Sequence, residues 1–157
     1  MIVEDGTGLP DADSYASVED ADAFHLARRT VEWIDSSDDD AKAAALIAAT
    51  DYLDATYRFR GDPLSVDQAL SSPRLGDTRL HPLIAKATMT LAARFLSGTV
   101  SATIAGREVL SDEKTVGPVS TKVTYAADRP SDPFPDVSGM LRPLTLSGSW
   151  SIGQFIR

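Results

Sequence analysis

The sequence of 157 residues predicts a mainly α fold: a small helical bundle of three longer helices plus a short C-terminal helix, with one β-hairpin and an extended C-terminal tail. Three observations predict it. Apolar residues recur at three- and four-residue spacing through three separate stretches. Each of those stretches opens on residues suited to a helix cap or first turn. Alternation of strand-favouring residues is clearest in "TVGPVSTKVTY", residues 115–125. The length suits a single domain, expected over 1–146, followed by a docking tail at 147–157.

The first sixteen residues contain Gly6, Gly8 and Pro10 and read as an extended or looped arm. Acids stand in this opening where a signal peptide needs a basic region and then an apolar run, so no targeting segment is expected. "SVEDADAFHLARR" predicts a helix over 17–29. Ser17 and Asp20 resemble a capping box with Asp in place of Glu, and Arg28 and Arg29 sit at the end where cations are favoured. Val18, Ala21, Phe24 and His25 form its candidate inner stripe.

"SSDDDAKAAALIAATDYLDATY" predicts the clearest helix, 36–57, with Ser36 or Ser37 as the cap and Asp38, Asp39 and Asp40 in the first turn. Ala45, Leu46, Ala49, Tyr52, Leu53 and Tyr57 mark its inner face, and its alanines allow a close helix neighbour. From Arg58 to His81 the period dissolves into a long ordered loop with a single turn at Val66–Leu70. Pro82 then suits a first helical position and Gly98 a C-terminal cap, giving a helix over 82–97 with Ile84, Ala87, Thr88, Leu91 and Phe95 inward.

"TVSATIAGREVL" is open between loop and short strand, and "VLSDEKTVGPVSTKVTY" reads as a hairpin near 109–125 turning at Gly117-Pro118. A proline-rich break, "RPSDPFPD", precedes a short helix around "DVSGMLRPL" that Pro143 limits. The tail mixes Gly and Ser with Trp150, Ile152, Phe155 and Ile156.

Composition narrows the function. Hydrophobic residues make up 43% of the chain without any apolar run of spanning length, so no membrane partner is expected. Cysteine is absent, which removes disulfides and thiolate metal sites. The net charge of −8 is polarised: residues 1–54 hold 14 acids and 3 bases, whereas 55–157 hold 9 acids and 12 bases. Such polarity can help copies pack acidic surface against basic surface, and it disfavours a dedicated duplex binder.

No catalytic set emerges, and the chain is expected to be a non-enzyme with no cofactor and no metal. His25 and His81 are the two histidines and neither has a zinc-type spacing; they read as a helix-face residue and an N-cap neighbour. "DADSYASVE" lacks the glycine of a calcium loop, and "GTG" at 6–8 lacks the strand and further glycine of a nucleotide loop. Two features remain. In "YRFRG", Tyr57 and Phe59 alternate with Arg58 and Arg60, with Arg74 and Arg79 further along the loop. Aromatics beside guanidinium groups suit single-stranded nucleic acid, while a reading with the rings closing the core and the arginines paired to acids, including those of a neighbouring copy, is favoured. The second is the tail, whose Trp150, Ile152, Phe155, Ile156 and Arg157 form a candidate docking segment after a Gly/Ser spacer.

Four stretches in order, "MIVEDGTGLPDADSYASVEDADAFHLARR", "ALIAATDYLDATYRFRG", "DQALSSPR" and "SDEKTVGPVSTKVTY", resemble small phage and prophage proteins labelled DnaT-like single-stranded-DNA-binding proteins. They also resemble head–tail connector adaptors, the head-completion proteins of long-tailed phages and gene-transfer particles. The resemblance covers most of residues 1–125. One departure stands out: the family usually carries tryptophan immediately before the proline of "QALSSPR", where this chain has Ser72, leaving Trp33 or Trp150 as candidates to replace that ring.

The resemblance implies a virion neck protein, made in the host cytoplasm, that forms a ring of about twelve copies beneath the portal. Its implied partners are itself, the portal, a stopper or tail-completion protein, and genome DNA passing through the lumen without sequence-specific contact. On that reading the tail, Trp150 to Arg157, docks on the portal, and Val116, Gly117, Pro118, Ser120, Lys122 and Thr124 of the hairpin contact a neighbouring subunit or neck component. The alternative is a single-strand-binding replication accessory protein using Tyr57, Arg58, Phe59 and Arg60.

Overall fold

Ser17 begins the helical part of the chain. In the computed structural model, which describes residues 1–36, 38–98 and 132–146, its Oγ accepts the Asp20 amide at 3.0 Å and donates to the Asp20 carboxylate at 2.7 Å. That reciprocal arrangement starts α1, Val18–Arg28, with Ala21 and His25 fully inward and Val18 and Phe24 partly buried. Arg29, in the left-handed region at φ 55°, ends it. The next residues form α2, Val31–Ile34, a single turn that the spacing of the sequence does not announce, and its Trp33 is 1% exposed.

The longest helix, α3, runs Asp39–Thr56. Asp38 caps it, accepting the amides of Asp40 and Ala41 at 3.0 and 3.2 Å, which corrects the expected cap at Ser36 or Ser37. A carboxylate in that position combines the cap hydrogen bond with charge against the positive end of the helix. Helix α4, Pro82–Leu96, has Pro82 in its first turn, and Gly98 beyond its end takes φ 70°. Helix α5, Pro135–Leu141, is the expected short C-terminal helix.

Helices α3 and α4 make the main helix pair; α5 packs on α4, while α1 and α2 close against α3 and α4. Small residues explain the closeness: Ala45 and Ala49 of α3 and Ala87 and Ala92 of α4 are buried between Leu46, Leu53, Ile84 and Leu91. Tyr52, Phe95 and Phe134 meet edge-to-face at centroid distances of 5.3–6.3 Å, joining α3, α4 and the start of α5. The Arg94 guanidinium grips Asp136 with two hydrogen bonds at 3.0 and 2.5 Å, a second tie between α4 and α5.

The N-terminal segment is no free arm. Val3 bridges Ser14, and the buried Glu4 carboxylate accepts the amides of Gly6, Gly8 and Leu9 at 2.8–2.9 Å. The glycines therefore wrap a side chain of their own segment. Gly6, at φ 100°, also lies so close to Arg79 and Leu80 that a Cβ would stand 2.6 Å from backbone atoms. The hairpin near 109–125 and the tail at 147–157 lie outside the described residues. Among the described residues no helix is long and apolar enough to cross a membrane.

Candidate functional site

Alternation in "YRFRG" sets the site. After α3 the backbone turns extended at Tyr57, so successive side chains point to opposite sides. Tyr57 and Phe59 turn inward, 3% and 4% exposed, while Arg58 and Arg60 face out. The Tyr57 hydroxyl meets Ser138 Oγ at 2.6 Å, and burial pushes its pKa up to about 12. Neither ring offers a face for a base to stack on.

This segment pairs with the chain after α5. Phe59 bridges Thr145 in antiparallel fashion; Leu146 N donates to Arg58 O and Arg60 N donates to Leu144 O, both at 2.9 Å. Arg60 Nε adds a bond to Thr145 O at 2.8 Å. The irregular 58–81 segment then closes on itself. Pro63 bridges Arg74, Leu75 N donates to Asp62 O at 2.8 Å, and the Gln68 side-chain amide reaches Leu70 O and Pro73 O. A turn at Val66–Asp67 stands where the single turn was expected.

A buried polar relay fixes the far side of the loop. Tyr15 donates to Asp54 Oδ1 at 2.6 Å and accepts from Ser72 N at 3.0 Å, while Ser71 N donates to Asp54 Oδ2 at 2.8 Å. Burial is the largest influence on Asp54 and raises its pKa, outweighing the hydrogen bonds from Tyr15 and Ser71. Burial and the Asp54 charge raise the Tyr15 pKa, so the phenol keeps its proton. The Ser72–Pro73 peptide is cis.

Between the loop, the start of α4 and the turn after α5 lies a cleft of about 130 Å³. Arg60, Ser72, Arg74, Asp77 and His81 supply its polar lining, and Phe59, Ile84 and Leu144 its apolar walls. Arg74 spans it, with Nη1 on Gly61 O at 3.2 Å and its guanidinium carbon 5.8 Å from the Phe59 ring centre. The buried Ser72 Oγ and Arg74 Nε have no hydrogen-bond partner among the described residues. His81 is the N-cap of α4 itself, its Nδ1 accepting Leu83 N at 3.2 Å. Of the sequence candidates, the structure brings Phe59, Arg60 and Arg74 together here; Arg58 and Arg79 stand exposed outside the cleft lining. Ser72, Asp77 and His81 join the site through long-range folding, and only His81's position before Pro82 signals a role, as a cap.

A larger groove of about 340 Å³ lies where α1 and α4 meet, with Phe24, Ala93 and Met140 among its apolar lining and Arg28, Lys86 and Arg94 as cations. His25 lines it as well. His25 stacks on Trp33 at 4.7 Å and its Nε2 lies 3.0 Å from Met89 O, an arrangement that puts the proton on Nε2. Burial holds its pKa below the usual histidine value. Trp33 is engaged with His25 and with Asp22, to which its Nε1 donates at 2.7 Å, so its ring fills a place in the α1–α2 corner. Among the described residues no group of three His, Asp or Glu side chains is placed to hold a metal.

The proposed contact residues Val116, Gly117, Pro118, Ser120, Lys122, Thr124, Trp150, Ile152, Phe155, Ile156 and Arg157 lie outside the described residues. Comparison with curated proteins and with solved structures finds no match. A family profile described as "Putative DnaT-like ssDNA binding protein" matches residues 1–157, the whole length, and the chain belongs to that family.

Proposed function

We propose that the chain is a non-enzymatic adaptor of the neck of a tailed phage or gene-transfer particle, forming a ring under the portal that extends the DNA channel toward the stopper or tail. One observation carries the reading. Ten of the acids in residues 1–54 are exposed, whereas the aromatic rings of "YRFRG" are buried. An acidic helical surface without stacking platforms lets DNA pass without holding it. The groove lined by Arg28, Lys86 and Arg94 also carries Glu32, and Arg94 is already paired with Asp136, so Arg28 and Lys86 are the cations that support packing against exposed acids of a neighbouring copy. The hairpin and tail are the proposed contacts with neighbouring subunits and the portal.

Mixing the purified chain with portal and imaging the product by electron microscopy tests the reading. Added ring density beneath the portal is the expected result; unaltered portal particles at saturating chain would sink it. Truncation after Leu146 should abolish attachment, and unchanged attachment would remove the tail from the interface.

The family match favours a second reading, single-stranded DNA binding in replication. It would rest on the arginines alone: Arg58, Arg60, Arg74 and Arg79. Filter binding at two salt concentrations separates the two, since a single-strand binder of this kind should bind tightly at low salt and lose affinity steeply as salt rises.

A further inference from the structure

We propose that the cleft between Arg60, Ser72, Arg74 and His81 binds one phosphate group. The polar lining consists mainly of donors. Among the described residues the hydroxyl of Ser72, 1% exposed, has no hydrogen-bond partner, and the buried Arg74 Nε–H likewise has none. Arg60 uses Nε on Thr145 O, lines the cleft, and has two further guanidinium nitrogens as donors. His81 also lines the cleft, and with Nδ1 accepting from Leu83 N its Nε2–H is the donor the ring has left.

Unsatisfied buried donors are costly, and a hydroxyl and a guanidinium N–H on residues lining one cavity, with the second guanidinium of Arg60 beside them, favour an anion. A tetrahedral oxyanion points its oxygens in four directions, so donors on different walls of the cleft can each meet a separate oxygen, whereas a carboxylate offers two oxygens in one plane. A volume of about 130 Å³ accommodates such an ion and is too small to enclose a nucleoside. Asp77 also lines the cleft, with Oδ2 already accepting Arg74 N at 2.9 Å. Its charge leaves the lining with a modest positive surplus. Its second oxygen can accept from a phosphate O–H, favouring inorganic phosphate or a terminal monoester over an internal diester. The site stands independently of both functional readings above, because it requires neither a ring nor a bound strand.

Calorimetric titration of the full chain with inorganic phosphate, against sodium chloride at equal ionic strength, tests the proposal. Saturable binding of phosphate and none of chloride is expected. Ser72→Ala and Arg60→Gln should each weaken it about tenfold, the effect of losing one charge-assisted hydrogen bond. Ser72 Oγ holds no hydrogen bond among the described residues, so its removal is expected to leave the fold intact, which an unfolding curve without phosphate checks. Arg60→Gln, at an exposed position, gives a second route to the same answer. Two oligothymidylates, with and without a 5′-phosphate, separate the sources. Competition by the phosphorylated strand alone assigns the site to terminal phosphates, competition by both extends it to diesters, and competition by neither leaves inorganic phosphate as the ligand. No phosphate-specific heat, or affinity unchanged in both variants, overturns the proposal.

Discussion

Tyr15 and Asp54, 39 positions apart, share a 2.6 Å hydrogen bond that locks the N-terminal segment to the longest helix. The same phenol oxygen receives Ser72 N, and the same carboxylate receives Ser71 N. One pair of side chains thus holds three chain segments that have no regular secondary structure in common. Four expectations about stability follow from this and the neighbouring contacts.

Tyr15→Phe removes the donor to a buried carboxylate and the acceptor for a buried amide while leaving the ring. The variant should lose about 2 kcal/mol, the penalty for such groups left unsatisfied. Urea unfolding checks it: the midpoint should fall with the slope unchanged.

Asp54 makes stability depend on pH. Its folded-state pKa is raised above 3.8 because burial disfavours the charge, so the folded chain holds this proton more tightly than the unfolded one. The Asp54 contribution is therefore greatest at low pH and declines as pH rises from about 3.8 through the raised value. Asp22 and Asp136, whose pKa values are lowered, have the opposite slope. Comparison with Asp54→Asn isolates the term: wild type should lose ground to the variant as pH rises across that window, in urea midpoints measured at half-unit steps.

Lys42 is buried in α3 and its Nζ is held by Asp22 Oδ1 at 2.8 Å, the oxygen that also receives Trp33 Nε1. Burial pushes the Asp22 pKa up, but the bonds from Lys42 and Trp33 and the Lys42 charge outweigh it. Asp22→Ala strands the ammonium and should cost about 2 kcal/mol, less than a fully buried pair because the Asp22 side chain is 47% exposed. Adding Lys42→Met to that variant should recover about half the loss or more, a coupling that a double-mutant cycle reads directly.

Gly6→Ala should be the most damaging small substitution in the N-terminal segment. The added methyl meets backbone atoms of Arg79 and Leu80 at 2.6 Å, in a backbone conformation that alanine rarely adopts. A loss of about 2 kcal/mol or more is expected in thermal unfolding. The nearby Gly76→Ala, also at positive φ but with open space around it, should cost less, which separates contact from conformation.

The helices were legible because their information is local. Pro82, Gly98 and the Ser17–Asp20 pair announce ends, and the spacing of Leu46, Ala49 and Leu53 announces a face. Where several local signals compete the reading slips: Ser36, Ser37 and Asp38 can all cap, and Asp38, whose carboxylate accepts two amides and adds charge at the positive helix end, is the one that does. The inward turn of Tyr57 and Phe59 agrees with the reading that had them closing the core. The partner of that segment, 144–146, carries no periodic signal at all. Nor could sequence reveal that Glu4 is wrapped by the amides of Gly6, Gly8 and Leu9, or that Ser72 lines a cleft with Arg74 and His81. Both lie within short irregular stretches, where the turns that bring the groups together follow no period and no capping signal that a sequence displays.

The pairing of Arg58–Arg60 with Leu144–Leu146 gives the chain a mechanical boundary. Residue 146 is stitched to the exit of α3 by main-chain hydrogen bonds, and the buried Thr145 is bonded back to α5. A pull applied to anything downstream of it is delivered to the stem of the longest helix, through a short ladder of bonds, rather than to α5 alone. Whatever the last eleven residues hold, they hold it from an anchorage point shared by both halves of the fold.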